Sequence, residues 1–309
     1  MHALVTGATG FVGSAIVNVL LDAGHTVTGL VRSETKAKPL QESGMRVAVG
    51  EMLEPSTYTP LVKEVDAVIQ AAQLGVSGRM TNKKVAQINH ADEIMTSALA
   101  EACLKHDKLL IYTNGCFGYG DHSDKWITEE TPLNPSPMGL GHAAMVRHSN
   151  DLHAQRGLKV IILTAGFVYG PGGLFKASFY DTLTKNQLRV FGAGQNFWST
   201  VHVDDLAQSF VQALESGAYG ENFNVVDDEP IRLRELVDAL TEAADHKPVG
   251  SIPPWLIGLM IGGPVVASLT TSFRVSNKKA KTVLGWEPRY PSFRSGVGDV
   301  VTELRGLES

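Results

Sequence analysis

The stretch TGATGFVG, residues 6–13, limits the fold of this chain more than any other feature of its sequence. It joins an apolar run at His2–Gly7, which is typical of a strand, to an amphipathic pattern at Gly10–Asp22, which is typical of a helix. Gly7 permits a tight turn, Gly10 lets a diphosphate approach the backbone, and Gly13 lets the helix pack closely on the strand. A strand, this turn and a helix in succession therefore predict a dinucleotide-binding βαβ unit.

Short apolar strands continue to alternate with helical patterns through the first half of the chain. Further strands are predicted at His25–Arg32, near Met45, from Asp66, up to Asn114 and from Lys159, and helices near Val85–Lys105 and Pro137–Arg156. This alternation predicts a parallel sheet covered by helices on both faces. After about Gly170 the pattern is less regular, with frequent proline and glycine.

We therefore predict an α/β fold, a Rossmann-type doubly wound parallel sheet with a smaller C-terminal substrate lobe. Residues 1–170 are expected to form the dinucleotide-binding domain. Residues 171–309 are expected to form mainly the substrate-binding lobe, with some segments returning to the first domain. A length of 309 residues agrees with two such units.

Composition restricts the partners and the compartment. The net charge is -5 and the pI about 6.1, so nothing indicates nucleic-acid binding. Two cysteines, Cys103 and Cys116, do not make a disulfide framework, and no charged leader precedes an apolar run. We expect a reduced, cytoplasmic protein.

One uncharged segment, Pro248–Phe273, is long enough to cross a bilayer. Pro253, Pro254 and Pro264 interrupt it, which disfavours a lone spanning helix. We expect a buried or pocket-lining pair of helices and no stable membrane insertion. Peripheral contact with a membrane is the alternative.

The end of the second predicted strand bears on the choice of nucleotide. A carboxylate there would bind the ribose hydroxyls of NAD, but this chain has Arg32, with Lys36 and Lys38 close behind. A guanidinium binds a 2′-phosphate through paired, charge-assisted hydrogen bonds. We therefore expect NADP as the cofactor, with NAD as the alternative. The interpretation without a function is that these basic residues form a solvated loop.

Several motifs together resemble the extended short-chain dehydrogenase/reductase superfamily, which includes NAD-dependent epimerase/dehydratases and dihydroflavonol-reductase-like proteins. They are TGATGFVG, DAVIQAA, Asn89, VYGPGG at Val168–Gly173 and VHVDDLAQ at Val201–Gln208. The similarity runs over nearly the whole chain. It implies a Rossmann domain, a small C-terminal substrate lobe, and homodimers formed through the two predicted helices near Val85–Lys105 and Pro137–Arg156.

The same resemblance implies a set of cofactor-binding residues. They are Gly7, Thr9, Gly10, Phe11, Val12, Gly13, Arg32, Ser33, Glu51, Met52, Ala71, Ala72, Gln73, Asn89, Thr113, His142, Ala165, Gly166 and Val168.

The sequence departs from this family in the segment MGLGHAAMVRH, residues 138–148. Members of the family carry a tyrosine that exchanges the substrate proton and, four residues later, a lysine that holds the nicotinamide ribose. Four residues make about one helical turn, so both side chains face the cofactor. Here those positions are Met138 and His142, and the serine position of the family falls on Asn114-Gly115, with Gly115 as its expected equivalent.

No tyrosine lies between Tyr119 and Tyr169, so a small shift in register does not restore the motif. Met138 packs against apolar groups but cannot exchange a proton. His142 could donate or accept a proton near neutrality, or could only contact the ribose as part of the pocket wall. Asn114 could orient a carbonyl or a water, or could simply bond local backbone at the end of a strand. We take His142 and Asn114 as the candidate catalytic residues.

Three classes of function follow. The first is an NADP(H)-dependent oxidoreductase acting on a small apolar carbonyl, imine or hydroxy-ketone without the usual tyrosine. The second is a non-redox cyclase, isomerase or dehydratase on the same fold, and the third is a nucleotide-sensing binding protein. The intact glycine turn and VYGPGG favour the first.

The C-terminal half is rich in aromatic side chains, which favours an apolar substrate. Predicted substrate contacts are Met138, Tyr169, Phe175, Phe179 and Trp198, with Phe197 and the stretch Trp255–Val266 nearby. No metal site is predicted, because His142, His148 and His153 do not share a helix face and no Cys or Asp cluster joins them.

Overall fold

The computed structural model describes residues 1–308 of the chain. Its strands are β1 His2–Thr6, β2 Thr26–Val31, β3 Arg46–Val49, β4 Ala67–Gln70, β5 Leu109–Gly115, β6 Trp126–Ile127, β7 Val160–Ala165, β8 Phe167–Tyr169, β9 Val190–Phe191, β10 Phe197–Trp198, β11 Thr200–His202, β12 Glu221–Val225, β13 Ile231–Arg232, β14 Ser251–Ile252 and β15 Arg274–Val275. Its α-helices are α1 Phe11–Asp22, α2 Lys38–Glu42, α3 Asn82–His106, α4 Leu140–Arg156, α5 Gly173–Phe175, α6 Asp181–Thr184, α7 Val203–Ser216, α8 Leu233–Ala243, α9 Pro254–Ile261, α10 Gly263–Leu269 and α11 Phe293–Glu308.

Seven strands form one parallel sheet in the order β12-β7-β5-β4-β1-β2-β3. The chain builds outward from β1 to β3 and then returns to the other side of β1 with β4. The order therefore reverses between β1 and β4, and a crevice opens there at the carboxyl ends of the strands. The predicted doubly wound parallel sheet is confirmed.

The central strands are apolar because helices cover both faces of the sheet. In β1, Ala3 and Val5 face one layer, which includes Ile16 of α1 and Phe210 of α7. Leu4 points to the opposite layer, formed mainly by α3 and α4. All three strand residues are fully buried, as expected when successive side chains of a strand alternate between two packed faces.

The chain after residue 170 contributes to two places. Helix α7 packs on α1, and β12 pairs with β7 at one edge of the main sheet. Most of the remaining elements build a second core around α8 and α11, with Trp198, Phe175 and Phe293 fully buried within it. The chain after residue 170 thus builds most of a second apolar core, while two of its elements, α7 and β12, complete the main sheet and its helical cover.

The uncharged segment forms the helix pair α9 and α10, but the expectation of a buried or pocket-lining pair is wrong for α9, which has no buried residue and lines neither the cleft nor the small cavity described below. Trp255 is 71% exposed and Met260 67% exposed, whereas Val266 of α10 is buried. A helix of eight residues that contacts the protein along one side leaves its other side to solvent, and α9 is apolar on that side too. No helix within residues 1–308 combines the length and hydropathy needed to span a bilayer.

Candidate functional site

A cleft with a volume of about 780 Å³ lies at the carboxyl ends of the parallel strands. It runs across the point where the strand order reverses, the usual ligand position in an open α/β sheet. The predicted cofactor residues that line it are Gly7, Thr9, Gly10, Phe11, Val12, Gly13, Arg32, Glu51, Met52, Ala71, Ala72, Gln73, Ala165, Gly166 and Val168. Thus the structure brings together at one cleft residues from the ends of five different strands.

The glycine turn fits a diphosphate. Gly7 has a φ of +67°, and a Cβ there would lie 2.8 Å from the Cα of Ala72. A Cβ on Gly13 would lie 2.1 Å from the carbonyl oxygen of Gly7. Gly10 precedes α1 without a side-chain cap, so the first amides of this helix remain available to an anion. Backbone atoms therefore occupy the space that side chains would fill, and the turn can approach a ligand closely.

The residues after β2 divide between the cleft and solvent. Arg32 and Lys36 both line the cleft with exposed side chains. Ser33 does not line it, and its hydroxyl lies 3.5 Å from that of Thr35. The cationic pair is therefore available to a ligand at this end, while Ser33 is exposed and is not part of the cleft lining.

A small cavity adjoins the cleft at Ala72 and Gln73, which border both spaces. The remaining lining includes Asn89 of α3 together with Met138 and His142 at the start of α4. The two helices approach closely here because Gly141 has no side chain; a Cβ on it would lie 2.5 Å from Asn89 Oδ1. Three predicted site residues therefore meet beside the cleft and not within it.

His142 contacts two buried polar residues that the sequence analysis did not identify. Its Nδ1 lies 3.0 Å from Tyr112 Oη and 3.8 Å from Asp92 Oδ2. Burial, and next the neighbouring Asp92 carboxylate, hold the pKa of Tyr112 well above its usual range. Asp92 could have been noticed because it lies three residues before Met95 and seven before Leu99, on the apolar stripe of α3.

The structure does not bring Asn114 to the cleft. Its Nδ2 donates a hydrogen bond of 2.8 Å to Thr164 Oγ1 on the neighbouring strand, and the residue is only 5% exposed. Its Oδ1 and the hydroxyl of Thr113 are buried without a partner among the described residues. Gly115, one position further, does line the cleft, and a Cβ there would meet open space. Because the alternation of the strand turns Asn114 into the protein, its proposed contact with substrate finds no support here.

The aromatic residues expected to contact substrate lie behind the cleft wall. Tyr169, Phe175, Phe179 and Trp198 are buried in the C-terminal core and line neither cavity. Phe167 does line the cleft, and its ring centroid lies 4.8 Å from that of Trp198 and 5.3 Å from that of Phe179. When large rings pack closely against one another in a core, only the ring at the edge of the cluster can contact a ligand. The other aromatic lining residues are Phe11, Phe117 and Phe273.

Charge is distributed unevenly along the cleft. Among the lining residues of the described chain, the charged ones are Arg32, Lys36, Glu51 and Glu54, which follow β2 and β3. The opposite end is lined by uncharged residues from the ends of β5 and β7, from α5, and by Phe273. Within residues 1–308 no three His, Cys, Asp or Glu side chains group as metal ligands. The uncharged end therefore suits an apolar ligand and has no cation for a second diphosphate.

Comparison with known proteins gives a consistent pattern. The model of the NAD dependent epimerase/dehydratase family matches residues 3–226. A 3-diazoavenalumate denitrifying reductase from Streptomyces is 28% identical over 96% of this chain and 99% of its own length. A UDP-glucose 4-epimerase from Mycolicibacterium smegmatis is 28% identical, with 99% of both chains covered. The human epimerase family protein SDR39U1, solved with NADPH, shares the fold at a TM-score of 0.82 and 18% identity, with 98% of this chain and 100% of that chain covered.

Proposed function

Because this chain belongs to the NAD dependent epimerase/dehydratase family, we propose that it is an NADP(H)-dependent oxidoreductase acting on a small apolar electrophile. We further propose that it works without the tyrosine and lysine usual in this family, since Met138 and His142 stand at the positions expected for them. Carbonyls, imines and hydroxy-ketones are the substrate classes from which we expect the acceptor.

The observation that carries this proposal is the uneven charge of the cleft. Arg32 and Lys36 supply positive charge at one end, where they suit the 2′-phosphate of NADP. At the other end Phe117, Phe167 and Phe273 form part of an uncharged lining. A cationic side chain at that end would favour the diphosphate of a nucleotide sugar, and the described lining residues there include none.

Residues that line the cleft and the small cavity would bind the cofactor, exclude water and exchange a proton. The amides of the glycine turn and of the first turn of α1 would hold the cofactor diphosphate, and the uncharged end would exclude water from the reacting atoms. Bound NADPH supplies a hydride. A carbonyl acceptor gains that hydride on carbon, its π electrons move to oxygen, and the oxygen then takes one proton. His142, which lines the small cavity, is the side chain that we propose exchanges this proton, unless water does so.

A missing tyrosine matters least for an acceptor that needs no proton. An aryl diazonium ion is one: hydride forms a carbon–hydrogen bond while the carbon–nitrogen bond breaks and dinitrogen leaves. The name of the Streptomyces relative, a denitrifying reductase of a diazo compound, supports including this class.

The test is a substrate panel with the purified protein and NADPH, in which the loss of NADPH absorbance is followed. The panel contains apolar ketones, conjugated carbonyls, imines and aryl diazonium ions. UDP-glucose is the comparison for the substrate, and NAD is the comparison for the nucleotide. We expect NADPH oxidation with at least one apolar class and no stabilisation by UDP-glucose in thermal unfolding. Turnover without NADPH oxidation would indicate a cyclase, isomerase or dehydratase instead. Nucleotide binding without any turnover would indicate a sensing protein, and a rise in Tm with UDP-glucose alone would overturn the apolar substrate.

A further inference from the structure

A chain of buried polar side chains leads from the centre of the fold to His142. Asp92 lies on α3, Tyr112 on β5 and His142 on α4. Tyr112 Oη lies 2.7 Å from Asp92 Oδ2 and 3.0 Å from His142 Nδ1. Tyr112 is fully buried, Asp92 is 6% exposed, and the side chain of His142 is 23% exposed. Asp92 and His142 both line the small cavity, and His142, at the end of the chain, has the more exposed side chain of the two.

The other oxygen of Asp92 is already occupied by donors. Gln70 Nε2 donates to Asp92 Oδ1 at 3.2 Å, and Thr96 Oγ1 donates to the same atom at 3.0 Å. A carboxylate only accepts, so Oδ2 must take its hydrogen bond from the hydroxyl of Tyr112. Tyr112 keeps this proton because burial and the adjacent carboxylate both raise its pKa.

The direction of this bond sets the state of the histidine ring. The hydroxyl proton of Tyr112 points to Asp92, so its oxygen can offer only a lone pair to His142. Nδ1 must then carry the proton of the neutral ring, and Nε2 on the opposite edge is left with a free lone pair. Nε2 is therefore the nitrogen that can serve a ligand on the side of the small cavity.

We propose that Asp92 and Tyr112 are positioning residues that fix the neutral ring of His142 in the Nδ1-protonated form, so that Nε2 is the atom that takes a proton from solvent and, from the resulting imidazolium, gives it to the substrate oxygen. The hydrogen bond to Asp92 fixes the direction of the Tyr112 hydroxyl, and that direction determines which nitrogen of His142 is protonated. Gln70 and Thr96 hold the Asp92 carboxylate in place through their own hydrogen bonds. The inference rests on the proposed function only in giving His142 a proton to exchange; the hydrogen-bond chain itself can be tested without turnover.

Asp92→Asn gives a specific expectation because an amide accepts hydrogen bonds at its oxygen and donates them from its NH₂ group, whereas both oxygens of a carboxylate accept. Its oxygen should stay with Gln70 and Thr96, which both donate, so its NH₂ group should face Tyr112. The tyrosine oxygen then accepts from the amide, and its hydroxyl proton turns to His142 Nδ1. The neutral ring must move its own proton to Nε2, so this substitution should reverse the tautomer.

The experiment is a proton–nitrogen correlation spectrum of NADPH-saturated protein with isotope-labelled histidine, at a pH where the ring is neutral. A spectrum of His142→Gln identifies the signals of His142. We expect the Nδ1-protonated form in the unaltered protein and the Nε2-protonated form in Asp92→Asn. Glu93→Gln is the matched control, since it makes the same chemical change on the next residue of α3, on an exposed side chain, and should leave the tautomer unchanged.

An Nε2-protonated ring in the unaltered protein overturns the inference, as does an unchanged tautomer in Asp92→Asn. If Asp92→Asn does not fold, Tyr112→Phe interrupts the chain while Asp92 keeps its bonds to Gln70 and Thr96, and both tautomers should then be populated. A single Nδ1-protonated form in Tyr112→Phe would contradict the proposal.

Turnover separates this inference from the proposed function. With an active substrate that needs a proton, Asp92→Asn should lower kcat by up to about 10²–10⁴-fold, the usual contribution of positioned proton transfer, and Glu93→Gln should not. The expected tautomers without any NADPH oxidation would support the hydrogen-bond chain and count against the oxidoreductase. An unchanged kcat in Asp92→Asn despite a reversed tautomer would overturn the positioning role.

Discussion

The glycine turn lines the cleft, the start of α4 lines the small cavity beside it, and the two are constructed in different ways. The turn is made of backbone: Gly7 and Gly13 bring main-chain atoms so close that a Cβ would overlap them. At the start of α4, by contrast, side chains from β5, α3 and α4 converge on His142. The turn therefore tolerates almost no side chain, whereas the chemistry near His142 depends on which side chains its neighbours provide. Sterics fix the geometry of the first kind of site, whereas substitutions can change the chemistry of the second.

The largest effect is expected for Gly13→Val, which tests whether the glycine turn binds the cofactor through its backbone. Its side chain would begin 2.1 Å from the carbonyl oxygen of Gly7, so the turn or α1 must shift. We expect NADPH binding to fall below detection in calorimetry. Gly115→Ser is the matched control, because its added Cβ lies in open space of the same cleft. Unchanged NADPH affinity in Gly13→Val would mean that the turn does not hold the diphosphate.

The second largest effect is expected at the start of α4, where the role of the His142 side chain is tested. His142→Ala should lower turnover of a carbonyl substrate by about 10²–10⁴-fold if it exchanges the proton. If it only contacts the ribose, the loss should be smaller and appear mainly as weaker NADPH binding. Met138→Leu, on the same cavity, keeps volume and apolarity and should change turnover little. Loss of activity in Met138→Leu but not in His142→Ala would reverse the roles proposed for the two residues.

A smaller effect is expected at the charged end of the cleft. Arg32→Asp removes a guanidinium that can form hydrogen bonds to the 2′-phosphate, each worth about 1.5–3 kcal/mol. We expect NADP affinity to fall by about 10- to 100-fold and NAD affinity to change by far less, measured by titration. Lys38→Asp makes a comparable change of charge on the same loop but outside the cleft lining, so it should have a weaker effect. Equal affinity of the unaltered protein for NAD and NADP would remove the argument.

Local sequence patterns were enough to predict six strands of the sheet and the glycine turn. Their signals are strands of four to seven residues, helices that begin and end within a few residues of their predicted bounds, and three glycines at a constant spacing of three in TGATGFVG. Each follows from backbone sterics or from burial of one face, which neighbouring residues in the chain already encode. The helices predicted near Val85–Lys105 and Pro137–Arg156 correspond to α3 and α4 for this reason.

Which side chains meet at the site follows from the packing of segments that are distant in the sequence. Asp92, Tyr112 and His142 are separated by 20 and 30 residues, and their contact exists because α3 and α4 pack over the carboxyl half of β5. The same applies to Asn114, which the strand turns inward, and to Trp198 and Phe179, which the C-terminal core withdraws from the cleft. Long-range packing and the side on which a strand residue points were not encoded in any local pattern, so the residue types were visible in the sequence while their partners were not.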